Sequence, residues 1–128
     1  MNFKLKTSKT AERILRNLSS VSAYGCTPNI LARIAVALSL KEGPVSDIQV
    51  KDANGFEFNR HTLTGEYDNV FKVLIEHVEG RSISDEEYFP GLFKAHLERG
   101  LPKLAGEYKY AGNFDKLIKN LIANSMED

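Results

Sequence analysis

FKLKTSKTAERILRNLS, residues 3–19, begins with alternating polar and apolar side chains and continues with apolar residues spaced three and four apart. The alternation predicts a short strand over residues 2–7. The apolar side chains that share one face of this strand are Phe3 and Leu5. Ser8 is a suitable N-cap, and the apolar spacing after it predicts a helix that ends at Gly25. The segment therefore indicates a strand followed by a helix.

A second helix is predicted directly after the first. Thr27-Pro28 combines an N-cap residue with proline at the first helical position, where a backbone N–H would have no intrahelical partner. The residues from there to Gly43-Pro44 are apolar around nearly the whole helix, so this helix must be buried on more than one side. In a chain of 128 residues we expect another subunit to supply part of that burial.

Residues 44–60 carry the signs of a β-hairpin. Asn54-Gly55 is a dipeptide typical of tight turns between antiparallel strands. The alternating apolar residues on either side of it are Ile48, Val50, Phe56 and Phe58.

Residues 61–128 are predicted to be helical, because apolar spacing of three and four returns there. The predicted boundaries are an N-cap at Thr64, a stop at Gly80, a capping box from Ser84 to Glu87, either two short helices or a kink at Pro90-Gly91 before Gly100, a joint at Leu101-Pro102 and a last helix from Asn113 to Ala123. Each boundary rests on a residue that starts, caps or interrupts helices.

The fold class that follows is mainly α with minor β. The length of 128 residues fits one domain over residues 1–128. Its parts would be a basic strand-helix-helix module (1–43), a hairpin (44–60) and a helical remainder (61–128).

The sequence predicts a cytoplasmic protein that has no contact with a membrane. The longest apolar stretch, Ile30 to Leu40, is interrupted by Arg33 and is far shorter than the roughly 20 residues that span a bilayer. The N-terminus has no continuous apolar region typical of a secretory signal. Cys26 is the only cysteine, which excludes an intrachain disulfide.

Positive charge is concentrated in the first third of the chain, although the formal net charge is zero. Glu12 is the only acid in residues 1–41. The basic residues of that segment are Lys4, Lys6, Lys9, Arg13, Arg16, Arg33 and Lys41. Such a block favours a polyanionic partner, of which nucleic acid is the commonest in cells. The alternative is that the basic and acidic parts neutralise each other within one fold or across an oligomer.

The strand-helix-helix order is the one that a ribbon-helix-helix DNA-binding protein uses. Two such strands from a dimer pair antiparallel, and the resulting ribbon enters the major groove. The side chains that would face base edges are Asn2, Lys4 and Lys6. The alternative is an ordinary edge strand whose lysines prevent aggregation.

Phosphate contacts are predicted on the helices. Arg13 and Arg16 lie on the polar stripe of helix one, and the free N–H groups at residues 27–30 suit a phosphate. Arg33 interrupts an apolar helix, so it must reach solvent, a phosphate or, as we favour, a carboxylate.

No catalytic residue, metal site or cofactor site is predicted. No two of the three histidines have the spacing that places two metal ligands on one helix face. The acids at residues 85–87 are explained by their favourable interaction with a helix macrodipole. Cys26 is interpreted as a small core or turn residue, and the alternative is a thiol with a lowered pKa near a helix N-terminus. Glycine-rich phosphate loops and nucleophile motifs are absent from the sequence.

Four segments together resemble one family over essentially the whole chain. The segments are FKLKTSKTAERILRNLS (3–19), TPNILARIAVALSLKEG (27–43), GLFKAHLERGLPKL (91–104) and AGNFDKLIKNL (111–121). The chain resembles DndE, the small component of the bacterial Dnd system, which exchanges a non-bridging phosphate oxygen of DNA for sulfur in DNA phosphorothioation.

The resemblance implies a non-catalytic subunit with a Met-repressor-like, ribbon-helix-helix core. It also implies assembly into a homotetramer, binding of double-stranded and preferably nicked DNA, and partnership with the other Dnd sulfur-modification proteins. The leading hypothesis is therefore a DNA-binding accessory subunit that needs no cofactor. The predicted DNA-binding residues are Lys4, Lys6, Lys9, Arg13, Arg16, Arg33 and Lys41.

Two alternatives remain open. The first is a protein-protein adaptor of the same machinery, whose basic residues contact an acidic partner and never DNA. The second is a metal-dependent nicking nuclease. Its candidate residues are Asp85, Glu86, Glu87 and His96.

Overall fold

The protein is mainly helical and carries a two-stranded sheet, as the sequence predicts. Its structure is a computed structural model that describes residues 3–22, 25–45 and 50–126. The elements are β1 (Lys4–Lys6), α1 (Lys9–Val21), α2 (Pro28–Leu40), β2 (Glu57–Asn59), α3 (Arg60–Thr64), α4 (Asp68–Glu79), α5 (Phe93–Ala111) and α6 (Phe114–Met126). A 3₁₀ turn (Gly65–Tyr67) joins α3 to α4, and an irregular segment (Glu87–Leu92) leads into α5.

The start of the chain follows its local pattern. Leu5 is buried between the exposed Lys4 and Lys6, and the Ser8 hydroxyl caps α1 by accepting the Ala11 N–H at 3.0 Å. Phe3, which the alternation places on the same face as Leu5, is 59% exposed, whereas Leu5 is only 1% exposed.

The predicted hairpin over residues 44–60 is wrong in its pairing. β2 pairs antiparallel with β1, with Leu5 opposite Phe58. Val50 lies outside any strand, and Ile48 lies outside the described residues. Gly55 instead approaches the chain before α1: its N–H donates to the Thr7 carbonyl, and a Cβ there would lie 2.2 Å from the Ser8 carbonyl oxygen. The glycine serves this close approach rather than a turn between neighbouring strands.

α1 ends at Val21, earlier than the predicted stop at Gly25. Ser22 is extended, and its hydroxyl accepts the Cys26 N–H at 3.1 Å. The Ser19 hydroxyl donates to the Cys26 carbonyl at 3.0 Å. The hydroxyl groups of these two serines thus bind the backbone of Cys26, and these local hydrogen bonds replace a further helical turn.

α2 begins at Pro28 after its Thr27 N-cap, as predicted, and is buried within its own chain. Its most extensive contact is with α5. The two helices touch through main chain, because a Cβ on Gly100 would lie 1.8 Å from the Ala35 carbonyl oxygen. α5 therefore supplies much of the burial that α2 needs, while Ile30 is left 39% exposed. Burial of α2 by a second subunit stays a prediction.

α5 is one helix through Pro102, so the predicted joint at Leu101-Pro102 is wrong. Leu101 and Leu104 are fully buried on either side of the proline, and this burial outweighs the missing hydrogen bond. Of the two alternatives at Pro90-Gly91 the kink is confirmed, since Phe89 just before it has extended backbone dihedrals.

Of the other predicted helix boundaries, some are confirmed and one is wrong. Gly80 ends α4 in the left-handed conformation, and Ser84 and Glu87 exchange both capping-box hydrogen bonds at 3.1 Å. Thr64 does not cap the third predicted helix. It closes α3, where its hydroxyl donates to the Arg60 carbonyl at 2.9 Å.

Three neighbouring residues of α5 connect it to the rest of the chain. Glu98 accepts the N–H and hydroxyl of Ser8 at the start of α1. Arg99 donates to the carbonyls of Ser39, Gly43 and Pro44, which closes the C-terminal end of α2. Together with Gly100, these residues fix α1 and α2 against α5.

His96 is a buried polar residue in the same helix. Its Nδ1 lies 2.9 Å from the Ser39 hydroxyl, and its Nε2 lies 3.9 Å from a Glu79 carboxylate oxygen. Arg99 Nε also donates to that hydroxyl, and His96 Nε2 has no hydrogen-bond partner among the described residues. Burial and the charge of Arg99 lower the pKa of His96 to about 4, against an opposing effect of Glu79.

Replacing Gly100 by Ala should destabilise the protein strongly. The added methyl group meets the Ala35 main chain, which cannot yield as a flexible side chain can, so we expect a loss of about 3 kcal/mol. Gly106→Ala is the matched control on α5. A Cβ there has open space, so this change should add about 0.5 to 1 kcal/mol. Urea unfolding of both variants tests the helix crossing, which an unaltered midpoint for Gly100→Ala would disprove.

The free energy of unfolding should fall as the pH drops from 7 to 5. The unfolded histidine binds a proton near its ordinary pKa of 6.5, whereas folded His96 stays neutral until about pH 4. At pH 5 this difference costs about 2 kcal/mol. His96→Gln should lose most of this pH dependence, and the exposed His77→Gln should keep it. Urea unfolding at both pH values is the measurement, and an equal pH dependence in all three proteins would contradict the assignment.

Candidate nucleic-acid interface

A basic surface is formed by side chains from three elements. β1 supplies Lys4 and Lys6, which point outward because Leu5 between them is buried. α1 supplies cations on its exposed side, where the helical spacing brings them together. The basic surface is defined as Lys4, Lys6, Lys9, Arg13, Arg16 and, from α5, Lys94.

Residues 52–57 lie beside both β1 and α1 and contact the cations of this surface. The Lys9 N–H donates to the Asp52 carboxylate at 3.1 Å. The Arg16 guanidinium lies 4.4 Å above the centre of the Phe56 ring. Glu57 lies 3.7 Å from the ammonium of Lys4 and 3.9 Å from that of Lys6. Neighbouring residues of one segment thus contact cations of both elements.

Lys94 is a member of this surface that the sequence analysis missed. Its ammonium group donates to the Asp52 carbonyl at 2.7 Å. With Lys4, Lys6 and Glu57 it lines a shallow concavity of about 400 Å³. Lys94 lies far along the chain on α5, and no local pattern links it to the N-terminal cations.

The basic surface keeps an excess of positive charge. Glu12 accepts from Lys9 at 3.1 Å and from Arg16 at 2.9 Å, and these hydrogen bonds lower its pKa. Glu57 is likewise shared between two lysines. Four of the six cations therefore share two carboxylates, those of Glu12 and Glu57, so the cations outnumber the carboxylates that pair with them.

Arg13 stands out among these cations. It is exposed and forms no hydrogen bond or ion pair with any other described residue. Lys9 and Arg16, although paired, expose 68% and 64% of their side chains. The surface therefore offers accessible N–H donors of the kind that phosphate oxygens bind.

Two predicted residues take no part in these contacts. Arg33 donates to the carbonyls of Leu63 at 2.6 Å and Thr62 at 3.0 Å, so main-chain oxygens stand where a carboxylate was expected. Lys41 is exposed and follows α2 as its C-terminal cap. A DNA-binding role for Arg33 and Lys41 stays a prediction, as does a phosphate at the start of α2.

Asp85, a residue of the nuclease alternative, belongs to an ion-pair cluster. The Arg60 guanidinium binds Asp85 at 2.7 Å and Asp68 at 2.9 Å, and only 12% of the Arg60 side chain is exposed. Hydrogen bonding to Arg60 lowers the pKa of Asp85. Burial acts to raise the pKa of Asp68, but the hydrogen bonds that this carboxylate accepts, first from Arg60, lower the pKa overall. Burial and the neighbouring Asp68 raise the pKa of Tyr88. The cluster fixes the start of α4 to the segment before α5.

The other nuclease candidates do not come together with Asp85. Glu87 binds Arg81 at 2.8 Å and completes the capping box, Glu86 is exposed, and His96 is fully buried. Residues 3–22, 25–45 and 50–126 contain no group of three or more His, Cys, Asp or Glu side chains placed to hold a metal ion. Within the same ranges, no helix combines the length and apolar character needed to cross a membrane.

Comparison with known proteins adds to this picture. The family described as DNA sulphur modification protein DndE matches residues 4–122. A crystal structure of DndE from Escherichia coli B7A, described as involved in DNA phosphorothioation modification, is similar in fold. Its TM-score is 0.65 and its identity 21%, over 81% of this chain and 97% of that one.

A second similar structure is that of a DndE G21/24K mutant involved in DNA phosphorothioation. Its TM-score is 0.58 and its identity 21%, over 80% of this chain and 97% of the mutant. No individually curated protein matches the sequence. At this identity the two crystal structures show a shared fold, while the family match extends over nearly the whole chain. The chain therefore belongs to the DndE family of DNA sulphur modification proteins.

Proposed function

We propose that the protein is a non-catalytic, DNA-binding accessory subunit of the bacterial DNA phosphorothioation machinery. It binds duplex DNA, including nicked duplex, through phosphate contacts and works with the other Dnd proteins. Membership of the DndE family supports the pathway. The single observation that carries DNA binding is the basic surface, where cations of β1, α1 and α5 outnumber their carboxylates.

Phosphate can compete with the ion pairs seen on this surface. An exposed salt bridge contributes about 0 to 1 kcal/mol, so a lysine or arginine loses little when it leaves its carboxylate. Each phosphate that the protein neutralises also releases condensed counterions from DNA, which favours binding. The partly paired cations can therefore rearrange onto a DNA backbone at small cost.

The second edge of β1 is where the ribbon-helix-helix arrangement that we propose within a homotetramer would form. The Phe3 carbonyl accepts the N–H of the residue that follows β2, and the Thr7 N–H donates to the carbonyl of the residue before β2. Leu5, between them, lies opposite Phe58 of β2. Because neighbouring residues of a strand direct their backbone groups to opposite edges, those of Lys4 and Lys6 face away from β2. That edge is where β1 of a second subunit would pair in the proposed assembly.

The salt dependence of DNA binding should distinguish contacts made by the basic surface from a general effect of the protein's net charge. Replacing Lys4, Lys6 and Arg13 by Ala should weaken binding to duplex DNA and flatten the slope of log K against log salt. Each lost phosphate contact accounts for about 0.9 of that slope. Fluorescence anisotropy with intact and nicked duplexes, at several salt concentrations, is the measurement.

The matched control removes three exposed lysines from α5 and α6: Lys109, Lys116 and Lys119. It changes the net charge equally, and we expect its slope to stay that of the wild type. Equal slopes for the two triple variants would contradict the assigned surface. A wild-type protein that binds other Dnd proteins but no DNA would favour the adaptor function instead.

A further inference from the structure

A pocket adjoins the basic surface and shares Lys94 with it. It has a volume of about 420 Å³, within the range of small-molecule sites. It is lined by Val45, residues 50–51, Arg81, Glu87, residues 90–92 and residues 94–95. None of the DNA-binding residues predicted from the sequence lines it.

Three cations line this pocket and keep free donors. Lys51 is exposed and forms no hydrogen bond or ion pair with the rest of the described chain. Lys94 uses its ammonium group on the Asp52 carbonyl, which occupies one of three N–H donors. Arg81 contacts Glu87 and Ser82 through Nη1 alone, so its Nη2 and Nε stay available.

The remaining wall of the pocket is largely apolar. Val45, Val50, Leu92 and Ala95 contribute to it, and Val45 is only 1% exposed. Glu87 is the carboxylate of the lining, and it is held by Arg81 and by the Ser84 N–H. An apolar wall beside a cationic rim suits a ligand with an uncharged ring at one end and a strong anion at the other.

We infer that this pocket binds a nucleotide unit through its terminal phosphate, a phosphomonoester. A phosphomonoester carries a charge of about −1.5 to −2 near pH 7, more than the single charge of a phosphodiester, and so matches several cations better. The sugar and base would lie against the apolar wall. The unit is either a 5′-phosphorylated strand end, in which case the inference rests on the proposed DNA binding, or a free nucleotide.

The test compares nicked duplexes that differ only in a 5′-phosphate or a 5′-hydroxyl at the nick. The wild type should bind the 5′-phosphate form about fivefold more tightly, the effect of one additional charge-assisted contact. Lys51→Ala should abolish this ratio while intact duplex is bound as before. Lys51→Arg should restore the ratio, and the exposed Lys109→Ala should keep it.

A titration with thymidine 5′-monophosphate, followed by thermal shift, tests the pocket without DNA. If the wild type binds duplexes with no preference for the 5′-phosphate and does not bind the nucleotide, the inference is overturned and the proposed function stands. If it shows no such preference but binds the nucleotide, and Lys51→Ala loses that binding, the inference holds with a free nucleotide as the ligand. If DNA does not bind but the nucleotide does, and Lys51→Ala loses it, the pocket stands and the proposed function fails. Binding of neither overturns both.

Discussion

The contact between the main chains of α2 and α5, at Ala35 and Gly100, is the constraint on which the rest of the structure depends. A side chain at position 100 would overlap the Ala35 carbonyl, so the two helices can approach this closely only with glycine there. Once α5 is placed, Glu98 reaches the N-cap of α1 and Arg99 closes the end of α2. One short stretch of α5 thus positions both helices of the N-terminal module.

The same placement assembles the basic surface. α5 brings Lys94 to Asp52, and Asp52 also accepts the first N–H of α1. The cations of β1 and α1 are brought together by residues 52–57, whose position depends on the β1–β2 pairing. The surface proposed to bind DNA is therefore a product of long-range packing, even though most of its residues are close in sequence.

Local signals in the sequence were sufficient where the physics is local. The strand around Leu5, the caps at Ser8 and Ser84 and the kink at Pro90 were all predicted, because each depends on a few neighbouring residues. The pairing of β2 with β1 was not predicted, because the dipeptide Asn54-Gly55 is typical of a hairpin turn. Nothing in the local sequence shows that Gly55 instead packs against the main chain before α1. For the site, the exposed cations of residues 4–16 were predictable from periodicity, whereas Lys94 was not, since nothing near it in sequence reports its partner.

The central claim is that DNA contacts the surface shared by β1, α1 and Lys94. Backbone amide chemical shifts, recorded during titration with a short duplex, test this most directly. The account predicts that the largest changes fall at residues 4–16 and at Lys94, and that they diminish as salt is added. Changes confined to α4 or α6, with residues 4–16 unaffected, would contradict it.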